Sequence, residues 1–274
     1  MCIRDSAWTL AVTQTVGYGV LFYAYGVLTV PMEEALGWTR TQTSGAFSVA
    51  LLTSGLAALG AGRIVDRYGG RALMTLGSIA AGALVLAWSF VTTLPGLYLV
   101  QAGIGLAMAA VTYEVAFAVI ARWFVRDRIR ALLVVTMVAG LASTIFVPLA
   151  TVLVEELGWR AALRVLAVML WAITVPLHGL VLRRAPSPRR VAPDGEVDDG
   201  VEDDGPRGAV TARAADDDEA SESAVTAREA WRDAVFWWLA SGFALDRMAI
   251  VAVGAHAGPA VLERGYAPGV VAAL

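Results

Sequence analysis

The chain has 274 residues, of which 58% are hydrophobic and only 16% charged, and its mean hydropathy is +0.64. Soluble domains are near half apolar and about a quarter charged, so this composition excludes an ordinary soluble domain. The formal net charge of −3 comes from one segment: residues 183–232 hold thirteen acids against eight arginines, and the rest of the chain is slightly basic. With Cys2 as its single cysteine, the chain cannot form an internal disulfide.

Apolar runs of about 20 residues recur and do not alternate, which predicts membrane-spanning helices and excludes barrel strands. In chain order the runs predict helices over 7–30, 42–62, 72–92, 95–121, 131–154, 160–182 and 233–257, with an eighth starting near 267. The opening Met1-Cys2-Ile3-Arg4-Asp5-Ser6 stands apart as a leader that could be a junction artefact. The first run is too long for a cleaved signal peptide and lacks a small-residue cleavage site.

Arginine placement predicts the orientation. With the N-terminus inside, sixteen arginines fall inside against four outside, and eight against four without the acidic segment. The segment 183–232 is rich in Asp, Glu, Gly and Pro with few large apolar groups, so it is expected to be a disordered cytoplasmic linker. It divides a six-helix bundle over 7–182 from a second bundle that starts at 233.

Between the second and third runs lies Gly62-Arg63-Ile64-Val65-Asp66-Arg67-Tyr68-Gly69-Gly70-Arg71. This stretch resembles the loop of the major facilitator superfamily whose pattern is roughly G-x-x-x-D-R-x-G-R-R. Gly62, Asp66, Arg67, Gly69 and Arg71 match, and Gly70 departs where a basic residue is usual. The resemblance implies an all-α membrane protein with the major facilitator fold: a complete N-terminal six-helix bundle plus the first one to two helices of the C-terminal one. It also implies a gating role for the loop, with Asp66 accepting from a helix N-terminus or pairing with Arg122.

A faint internal repeat agrees with two parallel halves. Pro31 to Gly37-Trp38 matches Pro259 to Gly265-Tyr266 at an offset of 228, and the same offset sets Ala7-Trp8 on Val235-Phe236. A second half equal to the first would run to about residue 410, so the chain is expected to be a C-terminally truncated fragment.

Polar groups inside spans are costly and mark candidate pathways. In the first span Gln14, Tyr18 and Tyr25 fall within about 40° of one another on a regular helix. They form either a substrate-facing stripe or a set of helix–helix hydrogen bonds. In the fourth span Gly103, Ala107, Ala110 and Glu114 share a face, and a carboxyl on a face of small residues suits a proton carrier or a structural ion pair. Tyr113 lies 100° away. In the seventh span Asp246 and Arg247 are adjacent. Arg247 needs a counter-charge, from Glu114, Asp246 or an anionic substrate. His256 near the outer end belongs to the residue type that titrates near neutral pH, and packs or serves the pathway.

Tyr113-Glu114-Val115-Ala116-Phe117-Ala118-Val119, Arg122-Trp123-Phe124, Gly140-Leu141-Ala142-Ser143-Thr144 with Pro148, and Gly158-Trp159-Arg160 are similar to bacterial carriers related to the monocarboxylate and oxalate/formate branch. The resemblance implies a secondary active transporter with alternating access for a small organic anion such as a monocarboxylate, coupled to protons. Implied with it are residence in the bacterial inner membrane, a monomeric state and no nucleic-acid partner. Efflux of amphipathic compounds and a sensor or half-transporter needing a partner chain are the alternatives. Pro148 lacks the following glycine of the drug-efflux branch. His178 and His256 lie in different spans without ligand spacing, so neither an enzyme nor a metal or cofactor site is expected.

Overall fold

A computed structural model of the chain describes residues 2–123, 127–182 and 232–263. The side chains of residues 2–6, 66, 122, 123, 247 and 250–263 lie outside the description. The described residues are almost wholly helical, in two units divided at Ala185 and Pro186. The first unit contains six helices long and apolar enough to cross a membrane, so the chain is a multi-pass membrane protein.

The first span joins α1 (Cys2–Tyr18), a π-helical turn (Gly19–Tyr23) and α2 (Ala24–Leu36). Gly37 ends it in the left-handed region at φ 68°, donating to the Glu33 carbonyl. The second span, α3 (Arg40–Tyr68), starts on a capping box: the Thr39 hydroxyl accepts from Gln42 N–H, and Gln42 Oε1 accepts from Thr39 N–H at 2.9 Å. The third is α4 (Gly70–Trp88). The fourth comprises α5 (Leu94–Val111) and α6 (Tyr113–Trp123), the fifth α7 (Arg128–Ala139) and α8 (Ala142–Leu157). The sixth joins α9 (Trp159–Pro176) to a π turn (Leu177–Val181). In the second unit α10 (Ala234–Glu263) occupies the predicted seventh span. The linker and the predicted eighth helix lie outside the described residues.

Three boundaries differ from the sequence expectation. The charged stretch after Gly62 is not a loop: α3 continues through Tyr68 and only Gly69, at φ 83°, links it to α4. Charged side chains at a helix end reach water without unwinding the backbone, so charge does not mark the stop, whereas the left-handed glycine does. The other differences are at Thr112, which divides the expected continuous helix 95–121, and at Gly140 and Leu141, which divide the expected helix 131–154.

Leucines on the outer faces of α3, α4 and α5, such as Leu52, Leu56, Leu76 and Leu99, are exposed, while Thr13, Gln14, Ser78, Gln101, Thr174 and His178 are buried. An apolar exterior around a partly polar interior is the arrangement that a bilayer permits, because lipid rewards no internal apolar burial. Packing relies on close approach. A Cβ at Gly105 would sit 2.1 Å from the Ala50 carbonyl oxygen, and one at Gly19 would sit 2.2 Å from the Phe146 ring. Both sites require glycine, and they fix α5 on α3 and the first span on α8.

Candidate functional site

The site is built where the fourth span breaks. Thr112 adopts an extended conformation, φ −87° and ψ −173°, while its N–H still bonds back to Met108 O at 2.9 Å. A β-branched residue whose hydroxyl competes for backbone carbonyls favours such an interruption. The break exposes the Val111 carbonyl, which accepts from Gln14 Nε2 at 2.7 Å. Gln14 is fully buried, so α1 is tied to the break by a bond shielded from water.

One turn along α1, the Tyr18 ring lies 4.6 Å from the Tyr113 ring, which stacks on Phe117 at 5.0 Å. The Tyr18 hydroxyl lies near the Glu114 carboxyl. Phe22, 6.4 Å from Tyr18 and 5.4 Å from Phe47, extends the aromatic surface. The Thr112 hydroxyl lies 2.6 Å from Glu114 Oε2 and 2.7 Å from Met108 O. Glu114 itself is exposed, and among the described residues no cation pairs with it. The assembly can hold a proton, offer phenolic hydrogen bonds and stack a flat group.

Gln14, Tyr18, Tyr113 and Glu114 lie around the break. Tyr25 does not. Its side chain is buried between Phe47 at 4.4 Å and Trp88 at 5.2 Å, and its hydroxyl donates to Thr43 O at 2.6 Å. The π turn explains the difference: one extra residue in the turn rotates everything after it by about 100° relative to a regular helix. The face of small residues is corrected too. Gly103 packs on Leu84, Ala110 meets Gly77, and Glu114 leaves that face because the break resets the phase. Thr112, Phe22 and Phe117 belong to the site and were not singled out from sequence. A polar Thr-Tyr-Glu triplet inside an apolar run was the available signal.

In the motif after the second span, Arg71 donates to the carbonyl of Gly179 in the π turn of the sixth span. The Arg67 guanidinium lies 5.4 Å from the Tyr68 ring centroid. Gly69 makes the expected turn, but Gly62 lies mid-helix with open space at its Cα, so it makes neither a turn nor a close approach in this unit. The side chains of Asp66 and Arg122 are outside the description, and so is the expected contact between them. Asp246 is exposed on α10, which also carries the backbones of Arg247 and His256, whose side chains are not described. Among the described residues no cluster of His, Cys, Asp or Glu could hold a metal ion.

Residues 10–274 match the family described as the Major Facilitator Superfamily. The chain is 27% identical over 160 residues to YcxA, an uncharacterized MFS-type transporter of Bacillus subtilis (strain 168). That match covers 57% of this chain and 39% of the relative, so the chain spans well under two thirds of the relative's length. Six membrane-crossing helices, the glycine-aspartate-arginine motif and a family match over nearly all of its length place this chain in the major facilitator superfamily of membrane transporters.

Proposed function

We propose that the protein is a secondary active transporter that moves a small organic anion, such as a monocarboxylate, by alternating access with proton coupling. The observation that carries this reading is Glu114: a carboxyl within a membrane span, exposed from the bundle, with no cation beside it among the described residues and an aromatic wall around it. An uncompensated charge at such depth is costly, so taking up a proton lowers the cost of crossing states in which water is excluded. Tyr18 and Tyr113 supply hydrogen-bond donors on an apolar body, which suits a small solute with a polar end. Arg247, on the first span after the linker, is the proposed partner of the substrate's negative charge.

The arginine distribution supports an N-terminus on the cytoplasmic side of a bacterial plasma membrane. The motif from Gly62 to Arg71 supports a gate at that face. Its Arg71 ties the third span to the end of the sixth.

The test compares Glu114→Gln with wild type in the carrier as its gene encodes it, reconstituted in vesicles. Proton-driven accumulation should be lost, while exchange of substrate across the membrane without a gradient persists. Normal accumulation by the variant would remove Glu114 as the carrier and with it the main support for proton coupling.

A further inference from the structure

The Thr112 hydroxyl has one hydrogen and two acceptors. It stands 2.7 Å from Met108 O and 2.6 Å from Glu114 Oε2. Both are full-strength O···O separations. A carbonyl oxygen has no proton to give, so the hydroxyl is the donor in any bond to Met108 O, and it is equally placed to donate to Glu114 Oε2. With Glu114 protonated, the carboxyl can donate to Thr112 Oγ1 while the hydroxyl donates to Met108 O. When Glu114 loses its proton, the same hydroxyl hydrogen is drawn to the carboxylate, because a charge-assisted bond is the stronger one. Met108 O keeps the Thr112 N–H, at 2.9 Å, so the carbonyl is satisfied in either state.

We infer that Thr112 is a positioning residue whose hydroxyl turns between Met108 O and Glu114 and so registers the protonation of Glu114 at the break in the fourth span. The inference rests on the proton-carrier reading of Glu114. It adds a residue that acts through Glu114 and ties its charge state to the backbone of the break. Loss of the proton moves the Thr112 hydrogen off the last turn of α5. The carbonyl of the adjoining Val111 is the one that Gln14 holds. The change in charge is therefore felt where the first and fourth spans are joined.

Tyr18 on α1 and Tyr113 on α6 flank Glu114, and Tyr23 of the π turn lies near both tyrosines. The charged residues of the packed elements sit towards helix ends: Arg4 and Asp5 on α1, Arg40, Arg63, Asp66 and Arg67 on α3, Arg71 on α4, Arg122 on α6, and Arg128 and Arg130 on α7, while α5 has none.

The experiment is difference infrared spectroscopy of the protein in lipid nanodiscs, following the protonated-carboxyl band that Glu114→Gln removes. Because the protonated carboxyl loses the hydroxyl it donates to, Thr112→Val should shift the frequency of that band. Thr112→Ser should keep the wild-type frequency. Should the valine variant fail to fold, Thr112→Ala carries the same test. An unmoved band, a serine variant that shifts as far as valine, or the absence of any band assignable to Glu114 would overturn the inference. Transport by Glu114→Gln separates the two readings. A shifted band with normal accumulation by Glu114→Gln supports the role of Thr112 and sinks the proton-carrier reading. An unmoved band with lost accumulation does the reverse.

Discussion

Gly105→Ala tests whether close approach of backbones, with no apolar driving force from lipid, holds the bundle together. The added Cβ would lie 2.1 Å from both Ala50 O and Thr53 Oγ1, and 2.8 Å from the Ala50 carbonyl carbon. Two of these atoms are backbone, so no rotamer change relieves the overlap. To restore ordinary contact, from 2.1 Å to 3.4 Å, α5 must move away from α3 by about 1.3 Å, which forfeits about half of the dispersion of each contact it loosens. Overpacking of this kind costs about 1–3 kcal/mol. The move also strains the contact between the Thr53 hydroxyl and Ala102 O, 3.1 Å apart, which is worth roughly 1 kcal/mol. Replacing a helical glycine by alanine returns about 0.5–1 kcal/mol of propensity. The net expectation is a loss of about 1–3.5 kcal/mol, measured by denaturant unfolding in detergent followed by tryptophan fluorescence. Gly55→Ala on α3, where nothing lies within 4 Å of the new methyl, is the control and should be neutral or slightly stabilising. If Gly105→Ala unfolds no earlier than wild type while the control behaves as expected, the close-approach account of α3 and α5 is refuted.

Two further expectations concern the site. Tyr25→Phe removes the donor to Thr43 O, 2.6 Å away, and should cost about 1 kcal/mol of stability with transport intact, whereas Tyr18→Phe should weaken substrate binding with a smaller effect on unfolding. The opposite pattern in paired uptake and unfolding measurements would return Tyr25 to the pathway. Arg247→Lys replaces a planar fork by a point charge, so the KM for an anionic substrate should rise about tenfold. An unchanged KM would assign Arg247 to a structural bridge.

The spans were legible in the sequence because a bilayer demands length and apolarity, and both are counted directly from residues. The six spans of the first unit fall within a few residues of the runs of apolar side chains, apart from the end of α3 and the end of the first span, which runs on to Leu36. Which side chains share a face was legible only where the helix stays regular. Gln14 and Tyr18 precede the π turn and meet as their spacing implies. Tyr25 follows it and does not. Likewise Glu114 was found by its charge, but its face was assigned across Thr112, whose extended backbone no hydropathy count records. Composition reports the solvent around a helix, and it is silent on one residue of extra phase.

The two irregularities are not independent. Non-helical backbone at membrane depth is tolerated where protein buries it or a cavity satisfies it. Here each has its partner in a neighbouring span: Gly19, opening the π turn, admits the Phe146 ring of the fifth span, and Val111 O, opened by the break, takes the buried amide of Gln14. Gln14 and Tyr18 are four residues apart on the same face of α1, so the residue that repairs the fourth span and the residue that reaches Tyr113 and Glu114 are positioned by one helical turn. A change at Gln14 would free a buried carbonyl and release the wall of the site together. The first and fourth spans are thus tied beside Glu114 and the aromatic wall. In the proposed alternating-access cycle such a tie would keep the carboxyl and the aromatic wall in register.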